Sequence, residues 1–259
     1  MRLVGHVGRV GLVGKGAATL LVCMGVMSVS LPDPPALPDP LVLFAAPAPP
    51  ALPDQAQAKP NRRLFAPRDL GLIEPPDRDQ WQKPEQIMDS LSIADGSVVA
   101  ELGAAGGWFT LWLARRVGPN GIVYSEDIQP QMLEEIRQRA QREGLNNVQP
   151  ILGTPSDPRL PSGLDAVLIS DAFREMDEPT DRTLVVTLLK NVARALKPTG
   201  VLGIADFKPG DGGPGPAADQ RVDPERVIAV AREAGLQLVQ REDVPPFIFV
   251  LKFAKASGR

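Results

Sequence analysis

Residues 97–110 read SVVAELGAAGGWFT. Val98–Leu102 is a short apolar run interrupted only by the acid Glu101, five glycine or alanine positions follow from Gly103 to Gly107, and then WFTLWLARRV repeats its apolar residues at helical spacing. The pattern predicts a buried strand that turns at once into an amphipathic helix. A turn with almost no side chains, at the carboxyl end of a strand, lets a ligand lie against main chain, with N–H groups at the helix start available to it.

The same alternation continues on both sides. PEQIMDSLSI, with Pro84 at its start, predicts a helix before the strand. After it come GIVYSED as a strand, QPQMLEEIRQRAQREG as a helix closed by Gly144, VQPILG as a third strand and LDAVLISD as a fourth. A helix is expected over Glu178–Leu196, then VLGIADF as strand five and DPERVIAVAREAG as a helix with Asp223 as its cap. LQLVQRE and PFIFVLKF close the chain with only a short turn between them, so they pair antiparallel. The expected fold is α/β, a doubly wound seven-stranded, mostly parallel sheet with a C-terminal antiparallel hairpin. In such a sheet the ligand crevice lies outside the carboxyl ends of the strands where strand order reverses, and the Gly/Ala turn leads into it.

Composition narrows the chemistry. The chain has 259 residues and a net charge of -3. Its first thirty residues hold three basic and no acidic side chains, whereas residues 31–259 carry 25 basic and 31 acidic ones. That balance disfavours a phosphate backbone as the main partner, and no nucleic acid is expected. The one cysteine is Cys23 and the one histidine is His6. Downstream of them disulfides, Cys/His zinc sites and His-activated nucleophiles are excluded, and no metal is expected.

Arg2, Arg9 and Lys15 precede an apolar segment from about Gly16 to Leu31, the order of a signal peptide or membrane anchor in residues 1–30. On that reading the protein is exported or membrane-anchored, periplasmic, with membrane association through this segment. With a mis-assigned start the protein is cytoplasmic. Ten of the 28 prolines fall in residues 31–60, a stiff extended linker. The catalytic or binding domain is then 61–259.

Glu101, the Gly/Ala turn, an acid at the end of strand two and ALKPTGVLGI together resemble the class I S-adenosylmethionine-dependent methyltransferases. Glu101, Gly103, Ala105 and Gly107 match that family's acidic residue and G-x-G-x-G, with Ala105 in place of the middle glycine. Asp127, 24 residues after Gly103, matches the acid that binds both ribose hydroxyls. ILGTPSDPRLP stands where the family has its adenine pocket and offers Thr154 and Asp157, while LKPTG looks like the family's turn before strand five. The resemblance implies S-adenosylmethionine as cofactor, held by Glu101, Gly103, Ala104, Ala105, Gly107, Trp108, Phe109, Asp127, Ile128, Thr154, Asp157 and Ser170. It implies methyl transfer to a small-molecule or lipid-like acceptor.

Two other functions are weighed beside this one. A dinucleotide-dependent oxidoreductase wants G-x-G-x-x-G, but here the second glycine is missing, Trp108 takes the third place and Glu101 would repel a pyrophosphate. A non-catalytic cofactor-binding module is favoured by the leader, since exported proteins have no obvious supply of S-adenosylmethionine. For catalysis, Asp171 at the end of strand four is the best-placed base, with turn capping as its structural alternative. Glu175 and Asp177 read as solvated acids, and Asp206, Phe207 and Lys208 as lining the acceptor side. Trp81 reads as folding over the cofactor or as core edge, and Lys208–Gln220 as a mobile lid.

Overall fold

A computed structural model describes residues 64–178, 180–210 and 212–256, all within one unit running from Gln57 to Arg259. The expected leader (1–30) and proline-rich linker (31–60) lie outside the described residues. Among the described residues no helix is long and apolar enough to cross a membrane.

Three short helices, α1 (Leu70–Ile73), α2 (Arg78–Gln82) and α3 (Pro84–Ser90), precede β1 (Val98–Leu102). The chain continues through α4 (Trp108–Val117), β2 (Ile122–Asp127), α5 (Pro130–Arg142), β3 (Val148–Leu152) and β4 (Leu164–Ser170). It ends with α6 (Phe173–Met176), α7 (Thr183–Ala195), β5 (Leu196–Phe207), α8 (Pro224–Glu233), β6 (Leu236–Val244) and β7 (Ile248–Lys255). The sheet order is β3-β2-β1-β4-β5-β7-β6. β1 pairs parallel with both β2 and β4, β7 runs antiparallel to β5 and β6, and the order reverses between β1 and β4.

Both faces of the sheet are covered, which is why β1 reads as a nearly continuous apolar run. Ala100 and Leu102 pack with Leu188, Val192, Val227 and Val230 on the face of α7 and α8. Val99 packs with Ile87, Met88, Phe109 and Leu113 on the face of α3 and α4. The Pro224 start of α8 is capped by Asp223, whose carboxylate accepts from the Glu225 amide at 3.0 Å.

Two expected boundaries differ. α7 starts at Thr183, because Glu178 and Asp181 close a bridged turn and the Asp181 carboxylate takes the Thr183 amide at 2.9 Å. LKPTG is extended chain inside β5: four residues, Lys197 to Gly200, stand between the paired Leu196 and Val201 against one, Asp165, between Leu164 and Ala166, so the segment is a bulge.

Candidate active site

The turn between β1 and α4 is shaped by backbone conformation. Gly103, Ala105 and Gly107 have φ of 68°, 47° and 82°, left-handed values that suit glycine and strain alanine. Its amides are largely used within the protein. Ala104 N donates to the Glu126 carbonyl at 3.0 Å, Gly107 N to the Ala104 carbonyl at 2.8 Å, and Ala105 N to Asp127 Oδ2 at 2.9 Å. These three turn amides lock the turn, and the Asp127 carboxylate that one of them holds lines the cleft. A Cβ on Gly103 would stand 2.8 Å from Ala172 Cβ, and one on Gly107 would stand 2.9 Å from Ile136 Cγ1. Gly107 is not among the residues lining the cleft; it holds α4 against α5.

The carboxyl ends of β1, β2 and β4 open into one cleft. It is lined by Glu101, Gly103, Ala104 and Ala105 from the first, with Trp108 and Phe109 from the start of α4. Glu126, Asp127 and Ile128 come from the second, Thr154 from the loop after β3, and Ser170 and Asp171 from the third. Asp157 is brought elsewhere: its carboxylate accepts from the Arg159 amide at 2.9 Å and its own amide donates to Thr154 Oγ1 at 3.0 Å, so it shapes the loop that presents Thr154. Ser170 Oγ accepts from Gln82 Nε2 at 2.7 Å, tying α2 to the end of β4.

The cleft is crowded with buried acids. Glu101 is 4% exposed and accepts from Thr110 Oγ1; Glu126 is 3% exposed and its Oε1 has no partner. Burial pushes both carboxyls up to about 8. Asp127 is also raised by burial, against the opposing pull of amides from Gln129, Ala105 and Ile128. Burial lifts Asp171 to about 6 and Glu175 to about 7. Arg78 and Arg174 are the guanidinium groups that line the cleft among these acids. Arg78 lies over the Trp108 ring at 4.3 Å, donates to the Ile73 carbonyl at 3.0 Å and is engaged by Gln82. Among the described residues no group of three or more His, Cys, Asp or Glu side chains is arranged to hold a metal.

A second, mostly apolar pocket adjoins this cleft and shares Asp171, Arg174 and Glu175 with it. Asp171 holds φ of 52° and its amide donates to the Ala205 carbonyl at 2.9 Å. Its Oδ1 is buried without a partner, so turn capping is not its task. Neither Glu175 nor Asp177 is a free surface acid: Glu175 is half-buried and Asp177 is buried. Glu175 pairs with Arg174 at 2.7 Å in the pocket wall, and Asp177, with 6% of its side chain exposed, is clamped by Arg226. Asp206 is 1% exposed, outside the lining of either cavity, and raised to about 8 by burial and by the nearby Asp171 charge. Lys208 is drawn to Asp243 at 3.2 Å. Trp81 packs on Phe207 with ring centroids 5.4 Å apart, in the wall of the second pocket and not over the first. The Lys208–Gln220 loop borders that pocket through Pro214, Gly215 and Pro216, and Arg221 gathers it by donating to the carbonyls of Lys208, Gly212, Pro214 and Pro216.

Sequence reasoning missed Arg78, Glu126, Arg174 and the Leu64–Ile73 segment over the cleft. Charged residues on short helices carry no periodic signal that separates a cleft from a solvated face. The buried acids have one measurable consequence. Carboxyls at about 6 to 8 in the fold and near 4 when unfolded bind more protons in the native state at neutral pH. Their contribution is present below about pH 4 and is lost as pH rises through 6 to 8. The ligand-free protein should therefore melt lower at pH 8.5 than at pH 5.5 in scanning calorimetry; a melting temperature that rises over this interval contradicts the buried-acid assignment.

Residues 99–200 match the family described as "Methyltransferase domain", a span that contains the Gly/Ala turn, the β2 acids and Asp171. Residues 99–200 are thus a methyltransferase domain of the S-adenosylmethionine-dependent kind. Its cofactor is S-adenosylmethionine, and the dinucleotide oxidoreductase reading is set aside. The chain is 26% identical over 143 residues to a protein-L-isoaspartate O-methyltransferase of Ignicoccus hospitalis, covering 51% of this chain and 68% of that one. It is 28% identical to a demethylmenaquinone methyltransferase of Geobacillus stearothermophilus, covering 47% and 49%. This chain thus spans about half to two thirds of these relatives' length. A solved S-adenosylmethionine-dependent methyltransferase from Aquifex aeolicus superposes with a TM-score of 0.68 at 23% identity, over 74% of this chain and 100% of that one, a likeness of fold.

The residues present suit that cofactor. Glu126 Oε1 is an unpaired buried acceptor, and with Asp127 it lines the cleft at the end of β2, where the hydroxyls of a ribose would find acceptors.

Proposed function

We propose that this methyltransferase acts on a small-molecule acceptor bound in the apolar pocket, with Asp171 as proton acceptor. The observation that carries this reading is the sharing of Asp171, Arg174 and Glu175 between the acidic cleft and the apolar pocket. A wall common to two cavities is where a group passes from one ligand to the other. Bound in the cleft, S-adenosylmethionine supplies a methyl group already activated on a positively charged sulfur. Asp127 and Glu126 would accept its ribose hydroxyls, Thr154 would border its base, and Arg78 would meet its carboxylate. The protein's remaining task is to orient the acceptor and exclude water. A base is needed only for an acceptor that carries a proton, and Asp171, raised to about 6, is largely ionised at neutral pH and ready to take one. Export or anchoring through residues 1–30 belongs to the same proposal and rests on the order of basic then apolar residues there.

The named relatives act on acceptors as different as a protein isoaspartate and demethylmenaquinone, so the acceptor reading rests on the pocket. Titration calorimetry of the full chain with S-adenosylmethionine and S-adenosylhomocysteine is expected to show binding in the micromolar range. No heat and no thermal shift at millimolar ligand overturns the reading.

A further inference from the structure

The acceptor pocket is apolar except near its junction with the cleft and at Asp69 and Gln220. Trp81 and Phe207 give it aromatic walls, and Leu64 and Leu72, 57% and 79% exposed, extend the apolar surface outward. At the junction three buried atoms lack partners: Asp171 Oδ1, Glu175 Oε2 and Arg174 Nε. The other arm of Arg174 is already committed, with Nη2 on Glu175 Oε1 at 2.7 Å. The junction thus offers carboxyl oxygens that accept and, at Arg174 Nε, an unpaired guanidinium N–H that donates, and buried polar groups left unpaired are costly.

These requirements select among ligand heads. An ammonium satisfies the carboxyl oxygens but meets a like charge in Arg174. A carboxylate or phosphate satisfies Arg174 Nε and faces two acids. A hydroxyl donates to one and accepts from the other. The aromatic walls favour a ring behind it.

We propose that the acceptor is a phenol with an apolar body and that methyl transfer is to its oxygen, with Arg174 Nε–H donating to that oxygen while the phenolic O–H donates to Asp171. This rests on the methyltransferase reading above. In the step, the oxygen lone pair forms the new O–C bond to the methyl carbon. The C–S bond pair stays on sulfur, giving the neutral thioether S-adenosylhomocysteine, and the phenolic proton passes to the Asp171 carboxylate. Arg174 then stabilises charge that develops on oxygen as the proton leaves, which a neutral wall would not do.

The test uses the full chain saturated with S-adenosylhomocysteine and three probes of matched shape: 4-butylphenol, 4-butylbenzylamine and 4-butylbenzoate. Calorimetry is expected to show the phenol binding at least about tenfold more tightly than either ion, the worth of one charge-assisted hydrogen bond. Arg174→Met, saturated with S-adenosylhomocysteine at whatever concentration it then needs, should bind the phenol about tenfold more weakly. With S-adenosylmethionine, mass spectrometry should detect 4-butylanisole. Equal or tighter binding of the amine or the benzoate, methylation of either, or no probe binding to the S-adenosylhomocysteine complex overturns the phenol assignment and leaves the methyltransferase reading intact. Failure of S-adenosylhomocysteine itself to bind removes both.

Discussion

Asp127→Ala is expected to raise the dissociation constant for S-adenosylmethionine about 30- to 1000-fold, the equivalent of roughly 2–4 kcal/mol. A buried carboxylate accepting ligand hydroxyls makes charge-assisted bonds, and alanine leaves the hydroxyls with nothing to donate to. The structure adds a cost that the sequence does not reveal. Asp127 Oδ2 takes the Ala105 amide and Oδ1 takes the Gln129 amide, each at 2.9 Å. The alanine variant orphans both, and stability should fall by about 1–3 kcal/mol as well. Asp127→Asn separates the two effects, because its one remaining oxygen can still receive an amide. It should regain part of the stability and little of the affinity. Calorimetry and thermal melting on the three proteins decide this. Binding by the alanine variant within twofold of the parent would remove Asp127 from the ribose site.

How much was readable from sequence follows from how local each signal is. The strand–turn–helix at Val98–Val117 is written in consecutive residues: a buried strand, small turn residues and helical spacing. The Asp223–Pro224 helix start and the closing hairpin are local in the same way. The fates of single charges are not. Asp177 looks solvated until Arg226, 49 residues later, is folded against it. Glu175 looks solvated until α6 turns it toward the cleft. Arg78 is informative only once Trp108 and Asp171 surround it. LKPTG reads as a turn because Pro198 and Gly200 punctuate it, yet β5 pairs with β4 at Leu196 and again from Val201, and the residues between bulge out as extended chain. The acceptor side is the least legible for the same reason. Its wall is assembled from Trp81, Asp171 and Phe207, which meet only across three elements.

Gly107→Val tests the turn itself, and here structure reverses the expectation from sequence. From the motif alone, bulk at Gly107 should expel the cofactor and spare the fold. In the structure Gly107 has φ of 82° and a Cβ would lie 2.9 Å from Ile136 Cγ1, inside the contact that seats α4 on α5. A β-branched residue there meets both a forbidden backbone region and a steric clash, about 1–3 kcal/mol each. The summed loss of roughly 2–6 kcal/mol should lower the melting temperature of a domain this size by about 4–24 °C. Cofactor loss then follows from unfolding and not from occupation of the cleft. Ala105 makes the complementary case. It lines the cleft at φ of 47°, so Ala105→Gly relieves left-handed strain in the folded state. Glycine at an ordinary φ would cost about 0.5–1 kcal/mol of chain entropy, but here the relief of roughly 1–2 kcal/mol outweighs it. The variant should melt slightly above the parent and bind S-adenosylmethionine at least as well. A native-like melting temperature for Gly107→Val together with lost binding would restore Gly107 to the cleft; a destabilised Ala105→Gly would show that the strain at residue 105 is not real.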